Sequence, residues 1–70
     1  MKNDVTKFGE ALREIRLKKR MSQGDVAKKL GVHRSYISGL ERGKRNPSLL
    51  TIKKMAKAIG VEPKELLEYE

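Results

Sequence analysis

The chain has 70 residues, of which 17 are Lys or Arg and 9 are Asp or Glu, so its formal charge is +8 at pH 7. A chain of this length holds one domain, and its core is too small to enclose a large catalytic cleft. It contains no Cys, which excludes a disulfide framework and a thiolate zinc site. Such a basic excess favours a polyanionic partner, nucleic acid first, with a membrane surface or simple solubility as alternatives.

No apolar run is long enough for a transmembrane helix, and the first residues, Met1–Asp4, lack the hydrophobic stretch of a signal peptide. The sequence therefore predicts a cytoplasmic protein that does not span a membrane, with a single domain over residues 1–70.

The first two predicted helices are marked by apolar spacing and by a cap. Between residues 5 and 19 the apolar residues recur at three- and four-residue spacing, which predicts an amphipathic helix. They are Phe8, Ala11, Leu12 and Ile15. The stretch from Ser22 to Asp25 fits a capping box, in which the hydroxyl and the carboxylate satisfy free backbone N–H groups. It predicts a second helix over 23–30, ended by Gly31.

A third helix follows after a short turn. Ile37 and Leu40 supply its apolar positions over about 34–42, and Gly43 closes it in the left-handed conformation. The turn at residues 31–33 contains Val32, which with Ile37 can pack the third helix across the second. Two short helices joined in this way form a helix-turn-helix unit.

Two further helices complete the chain. Pro47 prevents continuation of the third helix, Ser48 can cap a fourth helix over 49–59, and Pro63 suits the first turn of a fifth helix over 63–69. Their apolar residues are Leu49, Ile52, Met55, Ala56, Ile59, Leu66 and Leu67. Strand signals are missing throughout, so the sequence predicts an all-α fold, a compact bundle of five helices.

The pattern from Arg16 to Pro47 is more specific than the spacing of two helices. It consists of SQGDVA at 22–27, GV at 31–32 and YISGLERGKRNP at 36–47. This pattern closely resembles the DNA-binding domain of the Cro and phage-repressor (XRE-type) helix-turn-helix family, and the resemblance extends from about residue 8 to 67. Within that family the stretch at 33–39 looks most like the small controller proteins of restriction–modification systems. The resemblance implies a five-helix bundle of the lambda-repressor-like DNA-binding type.

Arg34 and Ser35 are the candidate base readers, because a helix in the major groove reads base edges near its N-terminal end. Arg34 can donate two hydrogen bonds to guanine O6 and N7, and Ser35 can donate or accept at a neighbouring base. The alternative for Arg34 is that it only adds to the positive field. Gly39 departs from relatives that carry a reading side chain there, so we expect specificity to depend more on Arg34 and on DNA shape.

A second set of residues is predicted to contact the DNA backbone. These residues are Gln23, His33, Tyr36, Ser38, Arg42, Lys44, Arg45 and Asn46. The resemblance implies this role for Gln23, because N–H groups at a helix start and a side-chain amide can meet a phosphate oxygen. The alternatives are a solvated helix residue for Gln23, a ring packed against the first helix for Tyr36, and solvated loop charges for the turn at 42–46.

The sequence gives little support for catalysis or for metal binding. His33 is the only histidine, and no Cys or second His is present to complete a metal site, so no metal, cofactor or small-molecule ligand is expected. Glu10 and Glu14 could suggest acid/base catalysis, but a surface ion pair between Glu14 and Lys18 is the favoured interpretation. A phosphate-cradling glycine loop, a paired-histidine metal motif and a nucleophile elbow are all missing, so the chain is not predicted to be an enzyme.

The resemblance also implies an ion pair and a dimer. In relatives an arginine of the first helix pairs with a glutamate of the recognition helix, and the matching residues here are Arg16 and Glu41. Relatives dimerise so that two recognition helices reach successive major-groove faces about 34 Å apart. The apolar residues available for such an interface are Leu66, Leu67 and Tyr69, with parts of the fourth helix, and Leu66 has closure of the monomer core as its alternative.

Together these features predict a transcriptional regulator that binds double-stranded DNA sequence-specifically, as a homodimer on a two-fold-symmetric operator. Its controller-like stretch points to a restriction–modification system as the target of control. The alternative is an antitoxin-type interaction module whose basic helices bind an acidic partner protein.

Overall fold

The computed structural model describes residues 4–67, which form five α-helices and no strand. The helices are α1 (Asp4–Lys18), α2 (Gln23–Leu30), α3 (Arg34–Glu41), α4 (Leu49–Ile59) and α5 (Pro63–Leu67). The predicted all-α class with five helices is therefore confirmed. The last two residues of the predicted fifth helix, 68 and 69, lie outside the described residues.

Serine caps begin α2 and α4. The Ser22 hydroxyl accepts a hydrogen bond from the Asp25 N–H at 2.9 Å, and the Asp25 carboxylate accepts one from the Ser22 N–H at 2.8 Å. This reciprocal pair is the predicted capping box. The backbone N–H of Ser22 lowers the pKa of Asp25, because it donates to the ionised carboxylate. At α4 the Ser48 hydroxyl accepts from the Thr51 N–H at 3.1 Å.

The helices end at residues with left-handed backbone. Gly31 and Gly60 follow α2 and α4 with φ of 72° and 77°, and Gly43 follows α3 with φ of 72°. α1 ends at Lys18, one residue earlier than predicted, because the chain turns at Arg20, where φ is 57°. Glycine adopts this conformation without the clash that a Cβ causes, so the three glycines end α2, α3 and α4 as predicted.

One apolar core joins the five helices. Its buried members are Phe8, Leu12, Val26, Ala27, Ile37, Leu40, Ile52, Met55, Ala56, Ile59 and Leu66. α3 packs against α1 and α2, while α5 packs against α1 and α4. Ile37 and Leu40 are fully buried, so they fix the inner face of α3 and leave its first residues, Arg34 and Ser35, exposed.

Two of the apolar residues that the sequence pattern picks out lie at the surface. Leu49 is 61% exposed, and Val32, which can pack the third helix across the second, is 39% exposed. Leu49 is the first residue of α4, ahead of the first buried position at Ile52. Helical spacing gives the face on which a residue lies, but not how far along the helix the neighbouring elements cover that face.

α1 and α3 approach each other closely at Gly9. A Cβ built on Gly9 would overlap the carbonyl oxygen of Leu40 and lie 2.9 Å from that of Glu41. The end of α3 therefore lies directly against the backbone of α1. This contact sets the distance across which side chains of the two helices meet.

Candidate nucleic-acid interface

The start of α3 presents the predicted base readers to solvent. Arg34 and Ser35 are exposed and occupy the first two positions of the helix. His33 precedes them in extended backbone and makes no side-chain cap bond. The exposed end of α3 thus carries a guanidinium and a hydroxyl, which are the groups that hydrogen-bond base edges and phosphates.

The starts of α2 and α3 border one shallow cleft of about 400 Å³. It is lined by Arg16, Ser22, Gln23, Gly24 and Arg34. The structure thus brings the predicted phosphate contact, Gln23, beside the predicted base reader, Arg34. The Gln23 amide nitrogen donates to Oε1 of Glu41 at 3.1 Å. Its side chain is therefore held in place, and the phosphate contact remains a prediction.

A buried ion pair borders this cleft through Arg16. Arg16 donates from Nε to Oε2 of Glu41 at 2.6 Å and from Nη2 to Oε1 at 2.9 Å. Nη1 of Arg16 donates to the carbonyl oxygen of Met21 at 2.9 Å. The hydrogen bond to Glu41 raises the pKa of Arg16, against the opposing effect of burial. α1 and α3 are thus joined by the bidentate pair that the resemblance implied, and α2 is joined to it through Gln23.

The basic turn after α3 folds back onto that helix. The Lys44 N–H donates to the carbonyl oxygen of Gly39 at 2.8 Å, and the Gly43 N–H to that of Leu40 at 3.2 Å. Nε of Arg42 donates to the carbonyl oxygen of Ser38 at 3.4 Å. The polar residues of the turn are exposed, namely Arg42, Lys44, Arg45 and Asn46. The charges of Arg42, Lys44 and Arg45 therefore lie beside α3, and their contact with the DNA backbone remains a prediction.

Tyr36 and Arg45 interact on the outer side of α3. The Cζ atom of Arg45 lies 5.8 Å from the centre of the Tyr36 ring. Tyr36 is partly buried and packs against the edge of the core, where it borders a small cavity with Leu30, Val32 and Thr51. These neighbours belong to α2, the following turn and α4.

The predicted dimer residues fall into three different situations. Leu66 is only 1% exposed and belongs to the core of the monomer, so it is unavailable to a second copy and that assignment is corrected. Leu67 is 55% exposed, and Tyr69 lies outside the described residues. Leu50, which the sequence did not single out, is 61% exposed beside Leu49.

The described part of the chain contains neither a metal-binding cluster nor a membrane-spanning helix. Among residues 4–67 no group of three or more His, Cys, Asp or Glu side chains is arranged to hold a metal ion. No helix in this part of the chain is long and apolar enough to cross a membrane.

The chain is similar to known proteins in both sequence and fold. A family model described as Helix-turn-helix matches residues 12–66. Control protein C.BamHI of Bacillus amyloliquefaciens is 52% identical over 63 residues, which cover 89% of this chain and 78% of that protein. An HTH-type transcriptional regulator of Methanocaldococcus jannaschii is 42% identical over 70 residues, covering 100% of this chain and 96% of the relative.

The fold is similar to that of a solved controller protein. The crystal structure of the restriction–modification controller protein C.AhdI from Aeromonas hydrophila superposes with a TM-score of 0.86 at 51% sequence identity. The match covers 90% of this chain and 96% of that one.

Proposed function

This chain belongs to the helix-turn-helix family of DNA-binding transcriptional regulators, and we propose that it binds a two-fold-symmetric operator as a homodimer to control a restriction–modification system. It acts by occupying DNA, without a catalytic step, in the cytoplasm. Control of restriction–modification is supported by the likeness to the two controller proteins, each more than 50% identical over about 90% of this chain.

The observation that carries DNA reading is the shared cleft of Arg34 and Gln23 at the two helix starts. When α3 enters the major groove, Arg34 reaches a base edge while the start of α2 meets the adjacent phosphate. The capping box uses the N–H groups of Ser22 and Asp25. Those of Gln23 and Gly24 can then donate to a phosphate oxygen, which the positive end of the helix dipole also favours.

The homodimer is supported by the exposed leucines at the start of α4. Leu49 and Leu50 are adjacent and each 61% exposed, and Leu67 of α5 is 55% exposed. Burying apolar surface against a second copy removes it from water, at roughly 25 cal/mol per Å². A dimer also doubles the few base contacts that one α3 can make.

Selection of bound sites from a random DNA pool tests both parts of the proposal. We expect one enriched site whose two halves are related by a two-fold axis, with half-site centres about 10 base pairs apart. An enriched site without symmetry would contradict the homodimer. Enrichment of no site would contradict sequence-specific binding. The antitoxin alternative is not favoured, because the similar proteins are transcriptional regulators and control proteins.

The leucine surface can be tested separately. Leu50→Lys is expected to abolish self-association in analytical ultracentrifugation and to reduce operator affinity, since it places a charge in the apolar contact. Lys53→Leu is a control on the same helix that should keep the dimer. A Leu50→Lys variant that associates like the wild type would place the interface elsewhere.

A further inference from the structure

A second basic surface lies along α2, separate from the start of α3. It is a cleft of about 730 Å³, lined by Lys19, Met21, Asp25, Lys28 and Lys29. The three lysines are exposed, and their charges face the single carboxylate of Asp25. This surface, the lysine cleft, is therefore positive on balance.

The stability of α2 does not explain why these lysines converge. Cations in the last turn of a helix interact favourably with its dipole, which accounts for Lys28 and Lys29 as helix residues. Lys19, however, follows the end of α1 and yet lines the same cleft. The carboxylate of Asp25 accepts the Ser22 N–H at 2.8 Å, so part of its hydrogen-bonding capacity is used inside the capping box. Lysines of two elements thus meet where a negatively charged ligand can bind.

The lysine cleft adjoins the predicted DNA interface along α2. Gly24 lines the cleft that Arg34 shares with the start of α2, and Lys28 lies four residues further along the same helix. Residues four apart share one face of a helix and lie about 6 Å apart along its axis. A DNA strand that meets the start of α2 can therefore continue towards the lysine cleft.

We propose that the lysine cleft binds the phosphate backbone of DNA that flanks the operator, and so extends the contact beyond the base pairs that α3 reads. The inference rests on the proposed function, since it requires that the start of α2 lies on an operator phosphate. Lysine carries a compact charge on a flexible stem, which suits contact with phosphates of any sequence. An acidic segment of a partner protein would match the same charge, but the continuity of the two clefts along α2 favours DNA.

The test compares two DNAs that carry the selected operator. One ends at the outermost base pairs of the operator, and the other extends about one helical turn, roughly 10 base pairs, beyond each end. The wild type should bind the longer DNA more tightly. If the cleft neutralises about two phosphates in each flank, this preference should fall about 10-fold per half-site between about 50 and 200 mM salt.

A double variant, Lys28→Gln with Lys29→Gln, removes two of the three cations and should bind both DNAs alike. The matched control is Lys53→Gln with Lys57→Gln, which removes the same charge from exposed positions of α4 and should keep the preference for the longer DNA. Equal affinity of the two double variants for the shorter DNA shows that the fold is intact. Lys19→Gln, outside the helices, should weaken the preference without any change to α2.

Hydroxyl-radical footprinting of the longer DNA locates the contact directly. The wild type and the α4 control should protect the sugar–phosphate backbone on both flanks, whereas the Lys28, Lys29 double variant should protect the operator alone.

The remaining outcomes each overturn the inference. A wild type that binds both DNAs equally at every salt concentration has no contact outside the operator, which leaves an acidic protein as the partner of the cleft. A length preference that the Lys28, Lys29 double variant keeps belongs to another surface, and an equal loss on both DNAs places these lysines within the operator contact. If the wild type enriches no operator from the random pool, the proposed function fails, and the inference fails with it.

Discussion

Glu41 of α3 is hydrogen-bonded to one side chain of α1 and to one side chain of α2. Its carboxylate accepts two hydrogen bonds from Arg16 of α1 and one from Gln23 of α2. Arg16 and Glu41 are 8% and 9% exposed, so little water can solvate the remaining charge when one partner is removed. The pair therefore matters chiefly because breaking it leaves a buried charge without its partner.

Glu41→Gln should reduce the free energy of unfolding by about 3 to 5 kcal/mol, because it leaves the Arg16 guanidinium buried opposite a neutral amide. The matched control is Glu14→Gln. Glu14 lies 3.5 Å from Lys18 in an exposed pair, and removal of its charge should change stability by less than about 1 kcal/mol. Urea denaturation of both variants measures the difference. Similar losses in the two variants would show that the buried pair has no special role.

The capping carboxylate Asp25 gives stability a dependence on pH. Because the Ser22 N–H lowers its pKa in the folded state below the ordinary 3.8, its ionised form is favoured by folding. The stability that it contributes is present above the unfolded-state pKa and is lost as pH falls through the folded-state pKa.

Asp25→Asn should therefore lower the melting temperature at pH 7, and the difference from the wild type should shrink as pH falls below about 4. Melting curves followed by circular dichroism from pH 7 to pH 2 measure this difference directly. A gap between the two proteins that stays constant over this range would contradict a role for the ionised carboxylate.

At the scale of elements, the position of α3 depends on its close approach to α1 at Gly9. The carbonyl oxygens at the end of α3 occupy the space where a side chain would stand. A substitution there must push the two helices apart, and it thereby moves Glu41 relative to Arg16.

Gly9→Ala should destabilise the protein by roughly 1 to 3 kcal/mol or more, because its methyl group overlaps backbone atoms that cannot rotate away. Gly24→Ala provides the control. A Cβ at Gly24 has as its nearest neighbour the Ser22 hydroxyl oxygen, at 3.6 Å, which is an ordinary contact, and alanine should stabilise α2 by up to about 1 kcal/mol. Thermal unfolding of the two variants should thus shift in opposite directions, and a stabilised Gly9→Ala would be inconsistent with the close approach.

Local signals predicted the elements better than the contacts between them. The capping box at Ser22, the proline at 63 and the apolar spacing along α1 each act within a few residues, so the sequence alone places the helices. The bond from Gln23 to Glu41 joins residues 18 apart, and no periodicity marks it. The same holds for the aliphatic stem of Arg45, which lies where a side chain at Gly39 would stand, since a glycine in a sequence does not show which side chain will occupy the space above it.

At the scale of the whole molecule, part of the net charge of +8 lies close to the predicted DNA-binding face. Arg34 opens α3, and the turn that folds back onto α3 carries Arg42, Lys44 and Arg45, all four exposed. Lysines elsewhere, such as Lys53, Lys54 and Lys57 of α4, add long-range attraction to DNA and solubility. The exposed leucines at the start of α4 carry no charge and belong instead to the proposed contact with a second copy.

The salt dependence of binding reports how many of these charges meet phosphates. If about five phosphates are neutralised in each half-site, the logarithm of the binding constant should fall with the logarithm of salt concentration with a slope of about −4 to −5 per half-site. Filter binding or fluorescence anisotropy over a salt series measures it. A slope near −1 would mean that the turn after α3 stays away from the DNA backbone.

The most direct test of the central claim, that α3 reads DNA through its first residues, is base preference measured for Arg34→Ala. Arg13→Ala, which removes an exposed arginine of α1, is the control of equal charge. Arg34→Ala should lose about 1 to 3 kcal/mol of discrimination for guanine at one position of each half-site, while Arg13→Ala keeps the wild-type preferences. If Arg34→Ala retains every base preference of the wild type and binds only more weakly, α3 does not read the operator through Arg34 and the claim is contradicted.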